Sequence, residues 1–282
     1  MGFTMKTAAG IVTYNPDLDR LSENIRSVKD QVDLIVFVDN ASDNLTEIKT
    51  ILPDNSILIE NKKNRGVARA LNQIFSCAGK MGAEWVLTLD QDSVCAAGLV
   101  DAYRKYTGVQ GTGILTCQIK DRNGLTLDLN ADQEGDCAEI SRCITSGAFC
   151  SMNAYAAAGG FVNPMFIDWV DYEYCANLRR HGFKICRINY EGLTHEVGHG
   201  QAVRLLGKCY QVHHHAPVRH YYLARNRLFV ARRYPEEYSF RKELLRNMRD
   251  IVLVWFYEDK KLEKTCCILK GIADSRKLLR TR

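Results

Sequence analysis

The amino-acid sequence predicts an α/β fold built on an open, mainly parallel sheet. Apolar strand-like runs and helical spacings alternate four times in the N-terminal part of the chain, as in βα units. The runs are apolar at consecutive positions rather than alternating ones, the pattern of strands covered on both faces. Polar residues gather where these strands end, at Thr13-Tyr14-Asn15, Asp39-Asn40, Asn64-Arg65 and Asp90-Gln91-Asp92. Ligands of open α/β sheets bind beyond the carboxyl ends of the strands, so this coincidence points to a binding site.

Taken in order, Ala8 to Thr13 is a short strand, and Leu18, Leu21, Ile25 and Val28 give helical spacing to Asp17–Lys29. Leu34 to Val38 is a second buried strand. Ser42 or Asp43 is expected to cap a short helix through Ile51, and Ser56 to Glu60 is a third strand. A polar loop, Asn61 to Gly66, opens a helix over Val67–Cys77. Trp85 to Leu89 is the fourth strand, and it stops at two carboxylates one residue apart, Asp90 and Asp92. Ionised carboxylates so placed need a cation or several donors to compensate them, and the economical reading is a divalent metal beside a phosphorylated ligand. Neither Gly-x-Gly-x-x-Gly nor Gly-x-x-x-x-Gly-Lys-Ser/Thr follows the first strand, so phosphate cannot rest on a glycine-rich cradle there.

Beyond Tyr106 the pattern loosens into strand-like pieces, with a turn expected at Asp121-Arg122-Asn123-Gly124. Ser146-Gly147-Ala148 interrupts an apolar stretch, and either close ligand approach or tight packing would explain it. A second acidic cluster, Asp168-Trp169-Val170-Asp171-Tyr172-Glu173, begins a helix that runs to Arg180 and stops at Gly182. Asp168 and Glu173 suit simple capping of the first turn. Asp171, flanked by Trp169 and Phe166, suits a general base toward a hydroxyl. After a strand at Ile185–Tyr190, His195 lies in an expected polar, glycine-flanked loop where metal ligation is credible. His213, His214, His215 and His220 read as loop structure, because adjacent residues of an extended segment point to opposite faces. Arg219, Tyr221, Tyr222, Arg225, Phe229 and Arg232 share a helix that is either a basic ridge for an anionic ligand or a solvated face over an aromatic stripe.

The formal charge of +5 is unevenly placed: from Pro217 onward 17 Lys and Arg face 8 Asp and Glu, leaving the preceding residues net acidic. That tail is amphipathic through Leu244, Ile251, Val254, Trp255, Leu262 and Ile268. It suits packing on the sheet domain or lying on an anionic membrane surface. The 11 cysteines include no Cys-x-x-Cys pair, as expected of reduced thiols in the cytoplasm. Met1–Thr7 lacks the apolar core of a secretory signal, and the longest apolar run, Ile251–Tyr257, is too short to span a bilayer. The expected location is cytoplasmic, at most peripheral on the inner face of the membrane.

With these residues assembled, the sequence resembles the inverting family-2 glycosyltransferases, and within them bacterial rhamnosyltransferases. The resemblance rests on Val12-Thr13-Tyr14-Asn15-Pro16, Val38-Asp39-Asn40-Ala41-Ser42, Asn64-Arg65-Gly66-Val67-Ala68 with Asn72, Leu89-Asp90-Gln91-Asp92-Ser93, Asp168 to Cys175 with His195, and Arg219-x-Tyr221-Tyr222-x-x-Arg225-Asn226. It implies a GT-A-type domain over 1–216, with a nucleotide-sugar half to about 106 and an acceptor half beyond, followed by a basic helical region over 217–282. It further implies that Thr13, Tyr14, Asp39, Asn64, Arg69, Asp90 and Gln91 line the donor pocket. Asp92 and His195, with Asp90, would hold Mn²⁺ or Mg²⁺, and Asp171 would be the catalytic base. Arg219, Arg225 and Trp169 would face diphosphate or acceptor. Val170 stands where many relatives carry Glu, so no helper acid is expected there. The implied donor is dTDP-rhamnose, with a UDP-sugar as the alternative. The implied acceptor is a glycan or lipid-linked precursor, and no nucleic-acid partner is expected.

Two other functions fit parts of the sequence. Asp90-Gln91-Asp92-Ser93-Val94 matches the Asp-x-Asp-x-Val pattern of haloacid-dehalogenase-type phosphohydrolases, which usually carry it on their first strand. A non-catalytic module binding nucleotide sugars or polyanions is the other.

Overall fold

A computed structural model describes residues 5–121, 135–195, 200–205 and 207–280, without the side chains of Asp121, His195 and Arg280. In chain order the first half comprises β1 (Thr7–Thr13), α1 (Leu18–Val28), β2 (Leu34–Asp39), α2 (Leu45–Thr50), β3 (Ser56–Glu60), α3 (Val67–Lys80), β4 (Trp85–Asp90), β5 (Val94–Cys95), α4 (Leu99–Arg104) and β6 (Thr112–Asp121). There follow β7 (Cys137–Ile140), β8 (Ala148–Ser151), α5 (Met152–Ala158), α6 (Val170–Arg180) and β9 (Lys184–His195). The C-terminal part holds β10 (Gln201–Leu205), β11 (Lys208–Val212), α7 (Pro217–Arg233), α8 (Phe240–Tyr257) and α9 (Lys261–Asp274).

The chain divides into two compact units, residues 1–163 with 174–196, and residues 164–173 with 197–282. The first contains one large sheet in the order β3-β2-β1-β4-β8-β6-β9-β5, with β7 beside β9. Strands β3, β2, β1 and β4 are mutually parallel, as their consecutive apolar residues require. Strand β8 turns the sheet antiparallel, and β6 pairs parallel with β9. Helices α1 and α3 cover the parallel part, and the core runs through Ile11, Leu21, Ile25, Phe37, Leu87, Leu115 and Phe149, all at most 4% exposed. Helix α3 lies so close to β1 that a Cβ at Gly10 would fall 2.3 Å from Ile74 Cγ2.

The second unit packs α7, α8 and α9 together and adds the β10–β11 hairpin, whose Val203 and Val212 meet Leu253 of α8. Gly271 lets α9 pass against α7, since a Cβ there would lie 2.4 Å from the Tyr221 carbonyl oxygen. Beneath the α8–α9 turn a buried ionic cluster forms, with Lys264 Nζ 2.7 Å from Glu258 Oε2 and 2.6 Å from Asp259 Oδ1, and His220 Nε2 3.3 Å from Glu258. His213 and His215 stack, while His214, at φ +50°, reaches Gln201 instead. Burial, then the positive charge of Arg219 and of the neighbouring histidines, pushes the His215 imidazole down to about 4, so it is neutral at physiological pH.

The structure differs from the sequence reading at several elements. The cap of α2 is Asn44, whose side chain makes no cap bond, and Ser42 is used elsewhere. Helix α3 runs three residues past its expected end. The expected loop around His195 is strand as far as His195 itself, because β9 continues past Tyr190 to pair with both β6 and β5. Glycine at 192 permits this: a Cβ there would meet Leu99 Cδ1 at 2.4 Å and Cys117 Sγ at 2.7 Å. The turn expected at Asp121–Gly124 falls outside the described residues beyond Asp121.

Candidate active site

The carboxyl ends of β1, β2 and β4 are tied together by side chains. Thr13 and Asp39 are partners across β1 and β2, and Thr13 Oγ1 donates to Asp39 Oδ1 at 2.9 Å. Ser42 completes the set, its backbone N–H donating to Asp39 Oδ2 at 2.9 Å and its hydroxyl to Oδ1 at 2.5 Å. Three donors thus compensate a carboxylate that is wholly buried. The Ser42 hydroxyl in turn accepts from Asn15 N at 2.8 Å, holding Asn15 at φ +46°. Across to β4, Tyr14 N donates to Gln91 Oε1 at 2.9 Å, leaving the Tyr14 ring half exposed at 49%. Asn40 Oδ1 accepts from Asn61 and from Arg65 N, and Asn64 Oδ1 caps Gly66 N at the start of α3. The structure therefore brings together Thr13, Tyr14, Asp39, Gln91 and the Asn64 loop. Arg69 is exposed and borders a cavity of about 420 Å³ with Ile59, Gln73, Cys77 and Lys80 on its rim.

The Asp90–Ser93 turn is pinned from two sides. Asn24, fully buried on α1, donates from Nδ2 to the carbonyls of Asp90 at 2.8 Å and Ser93 at 2.7 Å. Ser146 Oγ accepts from Asp90 N at 3.1 Å and lies 2.7 Å from Ser93 Oγ. So Ser146 holds the turn, while Gly147, at φ +79°, packs against Leu193 with a prospective Cβ at 3.0 Å, which settles that stretch as packing. Asp90 and Asp92 are both half-buried. The β5–β9 register, with Val94 opposite Thr194, carries the backbone of His195 to the level of Ser93, next to Asp92. Carboxylates such as Asp90 and Asp92 are donors that suit Mn²⁺ or Mg²⁺. Among the described side chains no three His, Cys, Asp or Glu residues form a metal-binding group, and the His195 side chain lies outside those described.

In the second unit, the segment before Asp171 is strained and clamped. Phe166, Asp168 and Trp169 all have φ between +62° and +64°, a conformation costing of order 1 kcal/mol or more per non-glycine residue. Helix α7 compensates. Asn226, fully buried, donates from Nδ2 to the carbonyls of Met165 (2.7 Å), Ile167 (2.8 Å) and Asp168 (2.9 Å). Arg225 donates to Pro164 O and to Asn226 Oδ1, and its guanidinium lies over Tyr222, 4.8 Å from the ring centre. Arg219 grips the Asp168 carboxylate with two nitrogens, at 3.0 and 3.1 Å. Phe166 stacks on Tyr222 and Trp169 packs on Tyr172 and Tyr238, so both rings are engaged with unit-two aromatics. Asp171, half-buried in the first turn of α6, accepts from Tyr172 N at 2.8 Å. Glu173 is fully buried, bonded to Tyr234 Oη at 2.7 Å with Arg233 at 3.4 Å, so it anchors α7 rather than capping a helix.

Comparison with known proteins decides the family. Residues 9–140 match the model of Glycosyl transferase family 2, a span that includes every strand end described for the first unit as far as β7. The chain carries a family-2 glycosyltransferase domain over these residues. It is 28% identical over 239 residues to the dTDP-rhamnosyl transferase RfbF of Shigella flexneri, covering 80% of this chain and 79% of that protein. Among solved structures it resembles S. aureus TarS residues 1–349, with a TM-score of 0.61, 13% identity and coverage of 96% of this chain and 81% of that one. It also resembles GalNAc-T7 with UDP, GalNAc and Mn²⁺, with a TM-score of 0.59, 13% identity and coverage of 81%. The glycosyltransferase spans about half the length of that GalNAc-T7 chain, 48%. At these identities the likeness is one of fold, and the fold is of the GT-A type. The family match leaves the phosphohydrolase pattern at Asp90–Val94 as a coincidence of spacing.

In this glycosyltransferase the roles of several residues that organise the site escape sequence reading, which names Ser42 as a cap candidate and Asn226 as a motif residue and does not single out Asn24. Asn24, Ser42 and Asn226 are buried amide or hydroxyl side chains whose worth lies in which carbonyls or carboxylates they reach, and nothing in hydrophobic periodicity marks them. A polar residue at a core position of a helix is the one available signal: Asn24 lies one position before Ile25, and Asn226 lies between Ala224 and Leu228. Replacing Asn226 by Ala leaves three carbonyls without a donor beneath a strained segment, and the expected loss is about 3 kcal/mol of stability. Urea denaturation of the variant beside the parent protein measures it, and a loss below about 0.5 kcal/mol would contradict the clamp.

Proposed function

We propose that this glycosyltransferase moves L-rhamnose from dTDP-rhamnose, with inversion, to a hydroxyl of a cell-surface polysaccharide or lipid-linked glycan precursor at the inner face of the cytoplasmic membrane. The observation that carries the reading is the tied set of strand ends, Thr13–Asp39–Ser42 and Tyr14–Gln91, beside the pinned Asp90–Ser93 turn. The choice of donor is supported by the similarity to a dTDP-rhamnosyl transferase.

In this reading Thr13, Tyr14, Asp39, Asn64, Arg69, Asp90 and Gln91 serve the nucleotide, with Asp39 accepting from the base. Asp92, His195 and Asp90 would hold a divalent ion, which when bound supplies positive charge to a departing diphosphate. Asp171 acts as base: its carboxylate takes the proton of the acceptor hydroxyl as that oxygen bonds to the anomeric carbon from the face opposite the leaving group. The anomeric carbon–oxygen bond to the diphosphate breaks, its electron pair leaves with dTDP, and configuration inverts in one displacement. Arg219 and Arg225 contribute by fixing the segment that carries Asp168, Trp169 and Asp171.

Turnover of dTDP-rhamnose and UDP-GlcNAc with Mn²⁺, followed as release of nucleoside diphosphate, tests the donor. A preference for dTDP-rhamnose in kcat/KM of more than about tenfold is expected. Preference for the UDP-sugar would replace rhamnose while keeping the transferase.

A further inference from the structure

Helix α8 carries two opposite faces. Glu243, Asn247 and Val254 are buried, whereas Leu245, Met248, Val252, Trp255 and Phe256 are exposed, Leu245 and Phe256 to 68% each. Their spacing of three, four, three and one places all five on a single stripe. Helix α9 adds Leu262 at 71% and Leu269 at 50%. The two faces adjoin, because Trp255 Nε1 donates to Thr265 Oγ1 at 3.1 Å. Seven large apolar side chains on one surface exceed the scattered exposure usual for a soluble protein.

The charges around this surface are mainly basic, with Asp259 at the α8–α9 turn exposed but bonded to Lys264. Both acids of α8 are turned away: Glu243 is 4% exposed, and Asp250 is bonded to Arg227 and Arg249. Arg241, Lys242 and Arg246 stand exposed at one end of the stripe, and Lys260, Lys261 and Lys270 on α9. Glu263 is the one exposed acid of α9, since Asp274 is paired with Lys277 at 2.6 Å.

We infer that the α8–α9 surface is a membrane-docking face: its apolar stripe enters the interface of a bilayer and its basic rim meets anionic headgroups. A helix with Trp, Phe and Leu on one side and Lys and Arg beside them binds such an interface by apolar burial and charge together. A second copy of the chain is the poorer occupant, because two such faces would bring like-charged rims against each other. The inference extends the proposed membrane location, but its test uses no nucleotide sugar, so either can fail alone.

The full chain is titrated with vesicles of phosphatidylcholine alone and with added phosphatidylglycerol, following sedimentation and tryptophan emission. Trp85 and Trp169 are 7% and 9% exposed and Trp255 is 47% exposed, so a blue shift on binding reports Trp255. Binding to the anionic vesicles with a blue shift is expected, weakened about tenfold or more in Trp255→Glu with Leu262→Glu and again in Arg241→Glu with Lys242→Glu. Unaltered circular dichroism in the variants shows that the fold persists. Equal binding to neutral and anionic vesicles, or binding that the Trp255 and Leu262 changes leave intact, overturns the inference. A dimer in light scattering that the same changes dissolve would instead assign the face to self-association.

Discussion

The Asp171→Asn protein transfers sugar at least a hundredfold more slowly than its parent, with a ceiling near ten-thousandfold, yet binds donor nucleotide as before. General-base assistance contributes about 10²–10⁴ in rate, and an amide offers no basic oxygen of comparable strength. The fold has little reason to change. Asp171 is half-buried, and its bond from Tyr172 N to Oδ1 is a bond an amide oxygen also accepts. The neighbouring Asp168 gives the matching control, because its carboxylate is occupied by Arg219. Asp168→Asn weakens a clamp and lowers stability, whereas Asp171→Asn lowers the rate alone. Initial rates at saturating donor, read beside urea midpoints, separate the two. A variant at position 171 that keeps a tenth or more of the parent rate would remove this residue as base.

The second large effect falls on Asp92. The turn that carries it is rigid before any ligand arrives, fixed by Asn24 at the carbonyls of Asp90 and Ser93 and by Ser146 at Asp90 N. A turn whose backbone is already fixed loses little freedom when its carboxylates bind a ligand, which is the physical sense of a preorganised site. Asp92→Asn removes a charge without disturbing those bonds. The expected result is loss of whatever part of nucleoside-diphosphate binding depends on Mn²⁺, at least tenfold in the dissociation constant or about 1.4 kcal/mol. Binding in the presence of EDTA stays at the parent level. Calorimetric titration of both proteins with and without Mn²⁺ measures this, and equal Mn²⁺ dependence in parent and variant would place the ion elsewhere.

How far the sequence alone leads depends on the kind of force at each position. The parallel strands β1 to β4 were legible to within a residue or two, since a strand buried on both faces must be apolar throughout. Their polar ends were legible for the same reason, as abrupt departures from that pattern. Strand β9 was read five residues short, because Glu191-Gly192 resembles a turn until Leu99 and Cys117 are seen to occupy the space a side chain would need. Ser42 looked like a helix cap and instead serves Asp39, a partner three residues away that competes for the same hydroxyl. Glu173 looked like a first-turn acid, and only the fold discloses Tyr234 and Arg233 beside it, some sixty residues along the chain. Arg219 and Arg225 looked like a ridge for anions, yet their guanidinium groups meet Asp168 and the Pro164 carbonyl. Local pattern thus locates the sheet and the ends of its strands, whereas long-range polar bonds between buried groups are written in no periodicity.

In the proposed reading the tied ends of β1, β2 and β4 hold a nucleoside diphosphate together with a divalent ion. Thermal denaturation of the full chain with dTDP and with UDP, each with and without Mn²⁺, tests it most directly. With Mn²⁺ present, dTDP is expected to raise the midpoint well above dTDP or Mn²⁺ alone, in line with about 2.7 kcal/mol at a hundredfold excess over the dissociation constant. A midpoint that neither nucleotide shifts in the presence of the metal would contradict it.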